Sequence, residues 1–73
     1  MRTYTVAVES SGISADWVDD VIVVASHPHS AERLAKAFIA EQHPMREVGF
    51  AHALTLSTSG VARVVGRLRP IAE

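Results

Sequence analysis

The chain has 73 residues, 48% of them hydrophobic and 21% charged, with a formal net charge of -1 and no cysteine. This is the composition of a folded globular domain, and the lack of cysteine excludes disulfides, thiolate metal sites and a cysteine nucleophile. A net charge so near zero provides no general field to hold nucleic acid or an anionic membrane, so either would need a local cluster.

Residues 2–9 alternate, with Tyr4, Val6 and Val8 on one side and Thr3, Thr5 and Ala7 on the other, which predicts a strand with one strongly apolar face. Residues 10–16, SSGISAD, read as a loop. A second strand is expected over residues 17–25, where Ile22 and Val24 alternate with Val21, Val23 and Ala25, so both faces are apolar and the strand should be central or covered.

Ser26 or His27 should cap a helix over residues 28–42, with Pro28 in its first turn, where the missing amide hydrogen costs nothing. Ala31, Leu34, Ala35, Phe38 and Ile39 recur at helical spacing and form one apolar stripe, while Glu32, Arg33, Lys36 and Glu41 take the other side. Pro44 marks the end, and residues 43–49 read as a loop. A third strand is expected over residues 50–57, a turn at Thr58, Ser59 and Gly60, and a fourth strand over residues 61–69 that stops at Pro70.

The expected fold is therefore α+β, a single small domain over 1–73 with the order β-β-α-β-β: a four-stranded, mostly antiparallel sheet with one helix packed on one face. The helix side is assigned Val6, Val8, Ile22, Val24, Leu54, Leu56, Val64 and Leu68. The other face is assigned Thr3, Thr5, Ala7, Val21, Val23, Ala51, Ala53, Thr55, Val61 and Val65, small or β-branched residues suited to packing on another sheet. Of these, Thr3, Thr5, Val21, Val23, Ala51, Ala53 and Thr55 are the expected oligomer face. A chain this short buries only roughly 60 to 65% of its unfolded surface, so self-association, as a homodimer, is the expected remedy for marginal stability.

No catalytic or cofactor motif is recognisable. His27 and His29 could bind zinc or copper with His43 or His52, but Pro28 splays the pair and no carboxylate stands beside them at a ligand spacing. His52 among Phe50, Leu54 and Leu56 could be a general base, although a lone histidine on an apolar strand is more often a core or edge residue. Asp16, Asp19 and Asp20 match neither a calcium loop nor a paired acid and base, and Ser57, Ser59 and Gly60 are turn residues without the strand-to-helix context of a nucleophile elbow. Neither an enzyme nor a bound cofactor or metal is expected.

Arg63, Arg67 and Arg69 share one strand face, and Arg2 could extend the stripe if the first and last strands were neighbours. Such a stripe could lie along phosphates, but no aromatic residue is interleaved with it to stack on bases. The longest uncharged stretch, residues 48–62, is shorter than the ~20 residues that span a bilayer, and the polar alternation of residues 1–9 does not resemble a signal peptide, so no membrane association is expected and the cytoplasm is the expected setting.

The reading that follows is a small non-enzymatic interaction domain, homodimeric, that binds or modulates a protein partner. The alternative is a nucleic-acid-binding accessory protein using Arg63, Arg67 and Arg69, and a second alternative is a small enzyme or metal protein built on the histidines. Compact cysteine-free chains of this size are common among accessory proteins of phages and plasmids.

Overall fold

The computed structural model describes residues 1–55 and 71–72. Three antiparallel strands, β1 (Arg2–Ser11), β2 (Asp16–Ala25) and β3 (Glu47–Thr55), form a sheet with β1 in the centre, and one helix, α1 (Pro28–Gln42), crosses from β2 to β3 over one face. Ile71–Ala72, β4, runs parallel beside Val23 and Val24 of β2. The strand expected over residues 61–69, and with it the full β-β-α-β-β order, lies outside the described residues.

The first hairpin is tighter than the sequence suggests. Gly12 N–H donates to the Ala15 carbonyl at 2.8 Å, and the ladder begins again at once with Ser11 opposite Asp16. Both strands are thus longer than their apolar alternation, because backbone pairing continues where Ser, Asp and Trp replace the Val residues.

The helix has the expected bounds. His27 caps it in an extended conformation, and Ser30 N–H donates to its Nδ1 at 3.3 Å. Imidazole nitrogen here takes the role usually filled by a Ser or Asp oxygen, satisfying one of the amides that the first turn leaves open. Ala31, Ala35 and Ile39 are buried, and Leu34 and Phe38 pack partly buried beside them. They lie on Tyr4, Val6 and Val8 of β1 and on Val21, Val23 and Ala25 of β2, all buried.

Two of the three face assignments are corrected. Direct partners in an antiparallel ladder project to the same side, and Val6 pairs with Val21 and Tyr4 with Val23, so Val21 and Val23 lie under the helix and Ile22 and Val24 on the open face. Val21 and Val23 are fully buried and cannot belong to an exposed oligomer face. On β3 the small residues Ala51 and Ala53 turn inward, while Phe50, His52 and Leu54 turn out. The helix lies close to this edge: Ala53 N–H donates to Glu32 Oε2 at 3.1 Å, so alanines fit beneath it while Leu34 and Phe38 contribute bulk from above.

A bulge completes the arrangement of β3. Between Val8 opposite Ala51 and Ser10 opposite Val48, β1 advances by two residues and β3 by three. The extra residue restores Val48 to the helix side, where it packs against the core, so a strict period of two fails at Gly49 and Phe50.

Candidate functional site

The open face of the sheet is the most distinctive surface among the described residues. Its register sets Val24 beside Thr3, Ile22 and Leu54 on either side of Thr5, Asp20 and His52 on either side of Ala7, and Val18 beside Glu9, with Phe50 at the bulge on the far side of Glu9. Phe50 is 74% exposed, Leu54 70% and Val18 67%. Ile22, Val24, Thr3, Thr5 and Ala7 are half-buried and form the floor between them. Single exposed apolar residues are ordinary, but a phenylalanine, a leucine and three β-branched aliphatics sharing one sheet face are the composition of a contact surface. Thr5 Oγ1 is shielded within this face and finds no hydrogen-bond partner among the described residues.

The second distinctive place lies on the other face, past the C-terminal end of the helix. Trp17 and Asp19, two apart on β2, face the same side, and the loop after α1 brings Arg46 across them. The guanidinium carbon of Arg46 lies 3.9 Å from the centre of the Trp17 ring, and its Nη1 donates to Asp19 Oδ2 at 3.2 Å. A shallow depression of about 360 Å³ opens beside this cluster, lined by Gly12, Ile13, Trp17, Gln42, His43, Pro44, Met45 and Arg46. Arg46 is committed to Asp19, and the backbone N–H groups of His43 and Arg46 to the Ile39 and His43 carbonyls. Gln42 and His43 are the other polar side chains in a lining that is mostly apolar.

The histidines are dispersed. His27 and His29 stack at the start of the helix with ring centres 6.5 Å apart, while His43 caps the other end and His52 stands on the open sheet face. Ser30 Oγ lies 3.1 Å from His27 Nε2, so the capping imidazole is engaged at both nitrogens. Among the described residues no three His, Asp or Glu side chains gather into a site that could hold a metal ion. The aspartates divide likewise: Asp16 is exposed at the start of β2, Asp19 pairs with Arg46, and Asp20 points to the open face. Arg2 is exposed at the start of β1, in the alternation that contains Tyr4. Arg63, Arg67 and Arg69 lie outside the described residues.

Of the expected oligomer face, Thr3 and Thr5 are on the open side, Val21 and Val23 are beneath the helix, and Ala51 and Ala53 pack partly buried against the core. Thr55 ends β3 opposite Tyr4. The residues that replace the lost members are Val18, Ile22, Val24, Phe50 and Leu54. The alternation of large and small residues along 50–54, FAHAL, carries the signal, but it has to be read with the small residues inward.

No family model, curated protein or solved structure matches this chain. Among the described residues no helix is long and apolar enough to cross a membrane.

Proposed function

We propose that the chain is a small non-enzymatic interaction domain that binds protein through the open face of its sheet. The observation that carries this reading is the grouping of Val18, Phe50 and Leu54, each about two-thirds exposed or more, around a floor of Ile22, Val24, Thr3, Thr5 and Ala7. Covering such side chains gains roughly 25 cal/mol for each Å² of apolar surface removed from water, and the small floor residues allow close approach of a second layer.

The charges on this face favour protein over nucleic acid. Glu9 and Asp20 are its acidic groups and His52 its basic one, whereas the described Arg and Lys side chains stand elsewhere: Arg2 in the Tyr4 alternation, Arg33 and Lys36 on the helix, and Arg46 on Trp17. Among the described residues, phosphate would meet two carboxylates and no guanidinium there.

The test is a photo-activatable phenylalanine analogue at position 50, with a control at the exposed Lys36, in cells of the native host. Adducts to protein at position 50 and none at position 36 are expected. Absence of any protein adduct at position 50 would remove the reading. Leu54→Asp should abolish the adduct while changing protomer stability by less than about 0.5 kcal/mol, as for other exposed positions.

A further inference from the structure

We propose that the occupant of the open face is a second copy of this chain, packed face to face about a two-fold axis that runs nearly parallel to β1. The inference deepens the surface reading above by naming the partner, and it follows from the register and the placement of charge.

Asp20, Ala7 and His52 form one row across β2, β1 and β3, and Ile22, Thr5 and Leu54 form the next. Two identical faces can meet only about an axis lying between them. An axis along β1 exchanges the β2 and β3 sides at constant height, so Asp20 of one copy comes over His52 of the other, and Ile22 over Leu54. Both acid–imidazole contacts form at once, and the large apolar side chains oppose each other across a centre of Thr5 and Ala7. An axis across the strands through Ala7 would instead set Asp20 on Asp20. Moved to Thr5, it would press Asp20 onto Val24 and bury an unpaired carboxylate, which is costly. Of these three placements, the axis along β1 is the one that pairs Asp20 with His52.

The axis also suits sheet geometry. Rotation about a line near β1 leaves the two sets of strands nearly aligned, and a small tilt of the axis gives the crossing of about 30° that twisted sheets adopt when they pack. Glu9 is the remaining charged group on this face among the described residues, and because it stands on β1 the same axis brings it over its own copy. It lies four residues along β1 from Thr5, about 13 Å away at the strand rise, exposed at the wet rim where water and salt screen the two carboxylates. A two-layer sandwich flanked by helices also supplies the additional buried surface that a protomer this small lacks.

The experiment is a charge exchange on the purified full chain, read by sedimentation equilibrium from about 1 µM to about 1 mM. Wild type should dimerise. Asp20→Arg sets a cation against His52, and His52→Glu sets an acid against Asp20, so each should weaken the dimer by at least about tenfold. The double variant Asp20→Arg/His52→Glu should return to within about threefold of wild type. Mixing the two single variants should give heterodimers, since both contacts are then complementary, and this arm needs no change within either protomer. Circular dichroism confirms that each variant is folded.

A monomeric wild type throughout the range would overturn the proposal. So would a dimer indifferent to both substitutions, or losses that add in the double variant. If the purified chain is monomeric while the position 50 crosslink captures a different protein, the surface reading stands and the second-copy inference falls.

Discussion

Arg46 lies over Trp17, its guanidinium carbon 3.9 Å from the ring centre, and ties the loop after the helix to the start of β2. The same guanidinium pairs with Asp19. Stacking on an indole adds to what a partly exposed ion pair alone provides, because the flat cation is weakly hydrated and loses little water on the ring. Together they also order the loop that leads into β3.

Arg46→Ala should therefore destabilise the fold by about 1 to 2 kcal/mol, most of it from the stack, since an isolated ion pair near the surface is worth about 0 to 1 kcal/mol. Arg46→Lys should recover less than half, because an ammonium keeps the charge without the planar stack. Urea titration measures the loss, and the emission of Trp17, the sole tryptophan, reports the altered environment. An Arg46→Ala midpoint equal to wild type would mean that the stack does not form in solution.

Gly12 turns the first hairpin directly against the same indole. A Cβ built there would stand 2.8 Å from Trp17 Cζ3 and 3.1 Å from Cη2, so the objection to a side chain is contact rather than backbone conformation. Gly12→Ala should cost roughly 1 to 3 kcal/mol, as overpacking does elsewhere. Trp17→Leu, which removes the clashing ring, should make the alanine at position 12 tolerable. A thermodynamic cycle over the two substitutions checks this through a coupling of about 1 kcal/mol or more.

The helix face was fully legible in the sequence because its period separates polar from apolar positions and both ends carry stops. The faces of β2 and β3 were not, for two physical reasons. Val21 to Val24 are apolar on both sides, so only their pairing with Val6 and Tyr4 decides which side is inside. On β3, size misleads: the helix approaches so closely that alanines occupy the core side and Phe50 and Leu54 are displaced to the surface. The Arg46 and Trp17 contact joins residues 29 positions apart and leaves no local pattern at all.

Burial orders the helix positions in a way their size does not. Ile39 is 1% exposed, whereas Phe38 is half-buried at the margin of the stripe. Ile39→Ala should cost about 2 to 5 kcal/mol, in the range for a fully buried aliphatic, and Phe38→Ala should cost less despite the larger side chain. Paired denaturation curves test the ordering. A larger loss for Phe38 would mean that additional chain covers it in solution.

The last expectation concerns the β3 edge of the sheet. Among the described residues β3 is an outer strand, and the outward amide of Ala53 donates to Glu32 Oε2 at 3.1 Å, so a helix side chain does what a neighbouring strand would otherwise do. An unpaired amide at such an edge is a template for further strands, and a carboxylate on it both satisfies and blocks the site. Glu32→Ala should destabilise by about 1 to 2 kcal/mol, since it leaves a partly buried donor unpaired. Glu32→Gln keeps a carbonyl acceptor and should lose about half as much. Amide exchange locates the effect: the Ala53 N–H should exchange at least about tenfold faster in the alanine variant, while Val6 and Val21 at the centre of the sheet change only in proportion to global stability. Unchanged exchange at Ala53 would show that the bond to Glu32 contributes nothing to holding this edge closed.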